Sequence, residues 1–472
     1  MLKKLLLFLI LIPGFTFAQT ELTLPLLEGV YQSSRINPTA VPKHNLSIGI
    51  PGISSIGAGI TNTGFTFNNI IKAKTDTALV LSVNQVIDHL KKNNFIYAGA
   101  SVDLLHVRVK VKNFFFSAHA IEHVNVRFAY PLDFVKFTWK GNGEYIGQTI
   151  DWSKLALNAM HYREYAIGVL KYDETKKLSL GGRLKFLQGL GNVNWKNKAL
   201  NLKTNGDMYQ LSVASDGVIN TSLPFNLNED NSDTTTNAKE YLTNFRNRGL
   251  AFDVGASYQL NPKIKLSAAL NNVGFIHWKT NPMNYQISGG TSFHGFDPVK
   301  ELYKDSTRLN HYVDSLADHF EYTKTSDKYT TWLIPQLYLS GQYNLLENTT
   351  ASASLVIEKY QSIRPALTLA VSQRVGNWFQ GVLSYSVQYR SFANLGVALM
   401  LKPGPVQFYL AADNVARFWT KYNLDNSSFA LPPNARFLNF RFGINLVFGK
   451  IAKTATEEPP ARDRTIPSTI EE

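Results

Sequence analysis

The chain is 472 residues long, carries a formal net charge of +13 and contains no cysteine. The missing cysteine excludes disulfides and thiolate metal sites, and it predicts that no lipid is attached to an N-terminal cysteine. Lysine and arginine are scattered rather than clustered, so the basic balance gives no reason to expect nucleic acid as a partner. With 12% aromatic residues, 18% charged residues and 31 glycines, the composition favours an all-β protein.

The first 18 residues have the organisation of a secretory signal peptide. Lys3 and Lys4 precede an unbroken apolar run over residues 5–12, and the small residues Thr16 and Ala18 form a cleavage site. The run is about half of the roughly 20 residues that a membrane-spanning helix needs. We therefore predict that residues 1–18 are removed on export, which leaves a net charge of 13 − 2 = +11.

Apolar and polar residues alternate with period 2 in many segments, most clearly in the last one. Its even positions are bulky and apolar and its odd positions mostly polar or small: Leu438, Phe440, Phe442, Ile444, Leu446 and Phe448 against Asn439, Arg441, Gly443, Asn445, Val447 and Gly449. The same alternation starts at Leu105, Val124, Leu178, Phe252 and Leu383. Arginine and lysine recur on the polar faces. If those faces packed into the dry core of a soluble protein, burying these charges would cost much free energy. The pattern therefore favours a membrane barrel with a lipid-facing outside and a wet lumen.

The lengths of the connections support the same fold. Short turns are predicted at residues 112–113, 173–174, 205–206, 261–262, 347–348, 376–377 and 403–404, with brief connections near Gly189 and Phe392. Long segments are predicted at residues 131–161, 216–248, 281–329 and 417–434. Short periplasmic turns and long external loops are typical of outer-membrane barrels. The sequence thus predicts an all-β fold, a transmembrane antiparallel β-barrel of roughly 14–16 strands over residues 45–449, with an N-terminal plug at 19–44 and a disordered periplasmic tail at 450–472.

Three helices are predicted in the long segments. Residues 82–85 form a capping box that opens a short helix ending near Lys92. Residues 152–160 are a second candidate. Asp297-Pro298 begins a third, whose apolar stripe runs to Phe320. We expect these helices to close the loops over the external mouth of the barrel; the alternative is a specific role in binding.

Several motifs resemble an uncharacterised family of envelope barrels known as a domain of unknown function. They are residues 37–43 (NPTAVPK), 46–51 (LSIGIP), 165–168 (YAIG), 180–189 (LGGRLKFLQG) and 402–405 (KPGP), the last leading to Asp413-Asn414. The resemblance runs from about Asn37 to Phe448. The Asn-Pro-small opening is also similar to long-chain fatty-acid transporters of the outer membrane, where Ala is usual in place of Thr39, and to the outer-membrane shuttle protein of type IX secretion. The resemblance implies a barrel of about 14 strands with an N-terminal plug, and it says more about fold than about substrate.

Two short motifs suggest enzymes, and neither has the context that its chemistry needs. Residues 119–123 (HAIEH) match the His-x-x-Glu-His pattern of a class of zinc peptidases, which requires a helix. The surrounding alternation predicts a strand, on which residues four apart are about 13 Å from each other. Residues 52–57 (GISSIG) are one residue longer than a nucleophile elbow, and no phosphate-binding loop or dinucleotide fingerprint occurs. We predict a protein that is not an enzyme, with no metal site and no cofactor.

Basic residues dominate the faces predicted to line the lumen. They are Arg108, Lys110, Arg127, Arg183, Lys185, Lys265, Arg374, Arg390 and Arg441, and the acidic residues found against them are Asp253 and Glu358. This excess predicts an attraction for anions. The alternative is a set of inward charges that are paired across strands, or solvated, and serve no transport.

Two functions are compatible with the sequence. One is a passive transporter or channel for a small hydrophobic or anionic compound. The other is a non-transporting scaffold that docks a partner in secretion or surface assembly. Both place the protein in the outer membrane of a Gram-negative cell envelope, in contact with its lipid and, during biogenesis, with the barrel-assembly machinery.

Overall fold

A computed structural model describes residues 21–450, apart from 75–78, 174, 176, 207–209, 224–237, 294–321, 361, 389, 416–419, 425–426 and 432–434. The predicted signal peptide, the whole of the helix predicted from Asp297 to Phe320, and the predicted tail except Lys450 lie outside the described residues. The strands are β1 (His44–Gly49), β2 (Ile56–Asn62), β3 (Ile71–Lys74), β4 (Leu79–Leu81), β5 (Asn93–Val111), β6 (Phe114–Pro131), β7 (Thr149–Asp151), β8 (Ala156–Asp173), β9 (Leu178–Thr204), β10 (Leu211–Ser222), β11 (Arg248–Gln259), β12 (Ile264–Trp278), β13 (Pro282–Phe293), β14 (Tyr322–Thr325), β15 (Tyr329–Trp332), β16 (Gln336–Leu346), β17 (Thr349–Tyr360), β18 (Ser362–Val375), β19 (Phe379–Gln388), β20 (Ser391–Leu401), β21 (Val406–Asp413), β22 (Thr420–Leu424), β23 (Ser427–Leu431) and β24 (Phe437–Lys450). The α-helices are α1 (Phe67–Ile70), α2 (Val83–His89), α3 (Leu132–Lys140) and α4 (Ala238–Thr243), and 3-10 turns cover Leu24–Leu26, Tyr31–Arg35 and Gly143–Tyr145.

Within the described part of the chain, fourteen strands close into an antiparallel barrel. β1 and β2 together form the first strand and β15 and β16 together form the eighth, while the others are β5, β6, β8, β9, β11, β12, β17, β18, β19, β20, β21 and β24. The last strand closes the sheet onto the first, with Phe448 opposite Leu46 and Phe442 opposite Ile56. The predicted antiparallel barrel is confirmed, at the lower end of the predicted strand number.

The two ends of the barrel differ in their connections. Residues 112–113, 260–263, 347–348, 376–378 and 402–405 make tight turns at one end, here called the short-turn end. Most connections at the other end, the long-loop end, are longer. Strand β9 is 27 residues long and extends past the barrel at this end. Its outer half pairs with β10, which in turn pairs with β13. These strands extend one side of the barrel wall.

The extension corrects two of the predicted turns. Gly189 lies inside β9, where a Cβ atom would be 2.7 Å from the Trp278 ring, so a small residue is needed for packing and not for a turn. Residues 205–206 connect β9 to β10 and therefore lie at the long-loop end. Sequence periodicity could not separate this outer hairpin from the strands of the barrel itself.

The helices observed in the loops agree only in part with those predicted from the sequence. The helix predicted to begin at the capping box of residues 82–85 is confirmed as α2, which ends at His89 and not near Lys92. The Ser82 hydroxyl accepts a hydrogen bond from the Gln85 amide at 3.4 Å. The helix predicted at residues 152–160 is wrong, because β8 begins at Ala156 and pairs with β6. The helix of this loop is α3, whose Phe134 packs edge-on against Trp152 with ring centroids 5.2 Å apart. No helix among the described residues is both long enough and apolar enough to cross a membrane.

Alternation along the strands separates an apolar outer face from a polar inner face. On β9, Leu184 is 56% exposed, whereas its neighbours Arg183 and Lys185 are 8% and 4% exposed. Large exposed apolar side chains recur around the wall: Leu105, Val124, Ile167, Val169, Leu180, Leu250, Phe252, Leu266, Leu339, Leu369, Leu383, Leu399, Phe440 and Phe442. Such a belt is the surface that a bilayer requires of a barrel.

Charge placed on this belt should impair assembly. We expect Leu184→Arg to cost about 2–4 kcal/mol at mid-membrane, because the guanidinium would face hydrocarbon. Leu184→Met keeps an apolar side chain of similar volume and should fold like the wild type. Heat-modifiable migration after refolding into lipid vesicles measures the folded fraction. Equal assembly of the two variants would show that Leu184 does not face lipid.

Candidate functional site

The N-terminal segment, residues 21–43, lies inside the barrel. Its side chains and backbone are hydrogen-bonded to strands on different sides of the wall: Thr23 to Ser384 of β19 and Asp413 of β21, Tyr31 to His119 of β6, Gln32 to Asp103 of β5 and Asn445 of β24, Ile36 to Asn271 of β12, and Thr39 to Ser257 of β11. A segment that contacts all of these strands must occupy the space that they enclose.

One side of the lumen is dry. Apolar side chains of the segment pack into a buried cluster with small and medium residues of the wall: Leu24, Leu26, Leu27 and Val30 against Ala370, Val382, Ala398, Met400, Tyr409 and Ala411. The sequence predicted a wet lumen from the recurring charges of other strands, and it did not show that this side is filled by apolar side chains. Inward-facing alanine and valine leave room for leucines supplied by the segment.

The opposite side of the lumen holds a buried network of charges. The Asp253 carboxylate of β11 is fully buried and lies 2.9 Å from Arg183 Nε and 3.0 Å from Lys185 Nζ. Lys185 also lies 3.4 Å from the Glu164 carboxylate of β8. Arg183 donates to the backbone carbonyl of Arg35 at 2.7 Å, which ties the segment into the network. Because buried charges are stable only when paired and hydrogen-bonded, the four side chains and the segment depend on one another.

Arg35 of the segment forms a second buried pair with Asp103 of β5, whose side chain is fully buried. Arg441 of β24 pairs with Glu21 of the segment and donates to Ser101 Oγ at 2.8 Å. Two predicted lumenal cations therefore pair with acids on neighbouring strands, and Arg441 pairs with an acid of the segment. The sequence placed only Asp253 and Glu358 against the cations, so it overestimated the positive excess.

The residues of the zinc-peptidase motif lie on β6, a strand, as predicted. His119 Nε2 donates to Glu164 at 2.8 Å, and its Nδ1 accepts from the Tyr31 hydroxyl at 2.8 Å. Glu122 lies on the opposite face of the strand from His119 and His123, and it pairs with Arg163 at 2.5 Å. The three motif residues therefore cannot surround one metal ion, and His119 instead joins the segment to the charge network.

The remaining predicted lumenal cations are spread over the height of the barrel. Arg108 is 6% exposed and lies 5.1 Å from the centre of the Tyr31 ring, and Arg374 donates to Glu28 of the segment at 2.7 Å. Lys110 and Lys265 are half-buried near the short-turn end. Arg390 lies at the turn between β19 and β20, where it donates to the Thr63 carbonyl at 3.1 Å.

Arg127 differs from the other inward cations. Its guanidinium lies 4.4 Å from the centre of the Tyr97 ring and 5.9 Å from that of Tyr360. Among the described residues no carboxylate lies within 4 Å of it. Cation–π contacts hold the guanidinium in place without neutralising its charge.

Arg127 faces a cavity of about 640 Å³ between the segment and the wall, in the half of the barrel nearer the long-loop end. Its lining contains eight lysine and arginine side chains, three glutamates and six asparagines. Against them stand four leucine and isoleucine side chains, one methionine and five tyrosine and tryptophan rings. Lys154, Lys196 and Lys359 are exposed cations of this lining. The volume lies in the range of small-molecule sites, and the excess of cations favours an anion.

Sequence reasoning missed two acids of the site, Glu164 and Asp103, and the residues by which the segment contacts the wall. Glu164 was not identified because the sequence did not show where β8 begins. Only the register of β8 against its neighbouring strands shows that the Glu164 side chain points inward. Asp103 precedes an irregularity in the pairing of β5 with β6 between Asp103 and Leu105, which breaks the simple alternation. Tyr31 and Arg35 belong to no sequence motif, and the 3-10 turn that contains them is only five residues long.

The central carboxylate should be important for stability. We expect Asp253→Asn to lower the free energy of unfolding by about 3–5 kcal/mol, because two buried cations lose their partner. Asp216→Asn is the matched control, since its pair with Lys198 at 3.5 Å is exposed and should contribute about 1 kcal/mol or less. Guanidinium unfolding in detergent, followed by tryptophan fluorescence, compares the two. Similar losses in both variants would contradict the buried network.

The position of the segment can be tested by cross-linking, since the chain has no cysteine of its own. Thr39→Cys combined with Ser257→Cys should form a disulfide on mild oxidation, because the two hydroxyls are in contact. Thr39→Cys combined with Ser384→Cys is the control, because Ser384 contacts Thr23 instead. Electrophoresis without reductant reads the cross-link as a mobility shift. A shift in the control alone, or in neither protein, would place the segment elsewhere.

Comparison with known proteins gives a family and a set of distant structures. The chain resembles the toluene transporter TbuX of Ralstonia pickettii (8% identity, TM-score 0.43, 89% of this chain and 95% of that one) and the toluene transporter TodX of Pseudomonas putida (9%, 0.41, 92% and 98%). It also resembles a FadL homologue of Pseudomonas aeruginosa (9%, 0.41, 92% and 100%). These values are too low to support a conclusion about this chain.

No curated protein matches the sequence significantly. A family of unknown function (DUF5723) matches residues 38–413, which is most of the chain. The resemblance to an uncharacterised barrel family is thereby confirmed, and the protein belongs to this family.

Proposed function

We propose that the protein is a passive channel of the outer membrane that admits a small anionic solute into its lumenal cavity. The observation that carries the proposal is Arg127, an inward guanidinium held by tyrosine rings, with no carboxylate within 4 Å among the described residues. Lys154, Lys196 and Lys359 add positive charge to the same cavity. Four further cations of the lining are already engaged by acids or by the segment. The charge that is left to attract a solute is therefore concentrated on the Arg127 side.

The hydrophobic alternative has less support. An alkyl chain in this cavity would lie against charged and amide side chains that it cannot pair, and burying such groups without partners is costly. The apolar part of the lumen is already filled by leucines of the segment. A polar anion fits the cavity better than a hydrocarbon does.

In this proposal the N-terminal segment acts as the plug, and the chemistry is binding and passage, without catalysis. The buried ion pairs that fix the segment also favour the second hypothesis, a sealed scaffold that docks a partner of a secretion or assembly system. Passage of ions or solutes separates the two, because a sealed lumen conducts nothing.

The test is the reversal potential across a planar bilayer that contains the refolded protein, measured in a salt gradient. We expect a preference for anions, and we expect Arg127→Gln to lower the anion-to-cation permeability ratio about threefold or more, since it removes a charge beside the path. Lys198→Gln removes a charge that is 82% exposed and outside the cavity lining, and should leave the ratio unchanged. Absence of conductance would reject the channel, and cation preference in the wild type would reject the anionic solute.

A further inference from the structure

The cavity around Arg127 has a regular arrangement that specifies more than a negative charge. Directly opposite residues of neighbouring strands form one row across the wall: Tyr97 of β5, Arg127 of β6, Asn158 of β8 and Asn194 of β9. All four line the cavity. Adjacent strands are about 4.8 Å apart, so the row extends over roughly 15 Å.

The two amides of the row have unused hydrogen-bonding capacity. Asn158 Nδ2 donates to Asn194 Oδ1 at 3.5 Å, which is a long bond. No other side-chain hydrogen bond of either amide is present among the described residues, so Asn158 Oδ1 and Asn194 Nδ2 can accept from and donate to a ligand. An acceptor and a donor side by side suit neighbouring hydroxyl groups, which both donate and accept.

A third amide lies on β6 two residues before Arg127, on the same face of the strand. Asn125 of β6 accepts a hydrogen bond from the Tyr97 hydroxyl at 2.7 Å, and its Nδ2 remains for a ligand. The opposite residue is Gly99, where a Cβ atom would be 2.8 Å from Asn125 Oδ1. The glycine therefore keeps space open beside the amide.

We infer that the row binds a hydroxyl-rich anion, meaning an acidic sugar that carries one carboxylate or phosphate. Arg127 offers a planar fork of donors, which matches either anionic group. Asn125, Asn158 and Asn194 supply the partners for ring hydroxyls. This inference rests on the proposed function for its site and names the class of solute that the channel would take.

A ligand without hydroxyls would be selected against. A site built to hydrogen-bond hydroxyls rejects an analogue that lacks them, because its buried polar groups then remain unpaired. A neutral sugar would satisfy the amides but leave Arg127 without its anion. Both features of the ligand are therefore needed for full affinity.

The experiment is isothermal titration of the refolded full chain in detergent with glucuronate, glucose 6-phosphate, glucose, benzoate and hexanoate. We expect at least one acidic sugar to bind about tenfold or more tightly than glucose, and tighter than both simple carboxylates by a similar factor. Tighter or equal binding of benzoate or hexanoate would overturn the inference, because the hydroxyls would then contribute nothing.

Variants separate the two halves of the site. Arg127→Gln should weaken binding of the acidic sugar about tenfold and leave glucose unchanged, while Asn158→Leu should weaken both sugars and spare hexanoate. Lys198→Gln, outside the cavity, should change none of them, and heat-modifiable migration confirms that each variant is folded. Unchanged binding in Arg127→Gln would also overturn the inference.

Binding in detergent does not depend on passage through a membrane, so the two proposals fail in different ways. Anion conductance without binding of an acidic sugar rejects the inferred solute and leaves the channel. Binding without conductance supports the site and rejects the channel.

Discussion

Closure of the sheet is the constraint on which the rest of the structure depends. Strands that cross a bilayer must satisfy their backbone groups within the sheet, so the last strand has to pair with the first. The pairing of β24 with β1 and β2 meets this requirement and removes the open edges. Once the sheet is closed, strict alternation assigns every side chain of the wall to lipid or to the lumen. That assignment forces arginine, lysine, aspartate and glutamate into one enclosed space.

These charges would be unfavourable in the enclosed space if the space were dry and the charges had no partners. Two arrangements resolve the problem on the two sides of the lumen. On one side the wall presents small apolar residues, and leucines of the N-terminal segment fill the space between them. On the other side Asp253 and Glu164 pair with Arg183 and Lys185, and Arg35 of the segment pairs with Asp103. The segment is therefore part of both solutions, which explains why it is bonded to so many strands.

The cavity is the part of the lumen that neither arrangement fills. It is bounded by the segment and by the surrounding wall, where β5, β6, β8 and β9 supply about half of its lining and the rest comes from other strands and loops. There a tyrosine ring, in place of a carboxylate, holds the Arg127 guanidinium in position. The same cross-strand register places the amides of Asn158 and Asn194 next to Arg127. A polar, positively charged recess next to a packed segment is thus a consequence of strand register, and the chemistry of its ligand follows from the residues in that register.

The sequence by itself determined the fold class and the facing of most wall strands, because period-2 alternation is local and each segment carries it separately. Leu184 and Arg183 show this, since adjacent positions already indicate opposite faces. The tertiary structure alone decided which residues meet. Glu164 pairs with Lys185 of the neighbouring strand, and Asp103 pairs with Arg35 of the segment. Such partners depend on strand register and on the path of the segment. The helix predicted at residues 152–160 failed for the same reason: pairing of Ala156 with Ala129 of β6 overrides the local pattern. A charge on a strand can be read from sequence, but its partner is fixed only when the sheet closes.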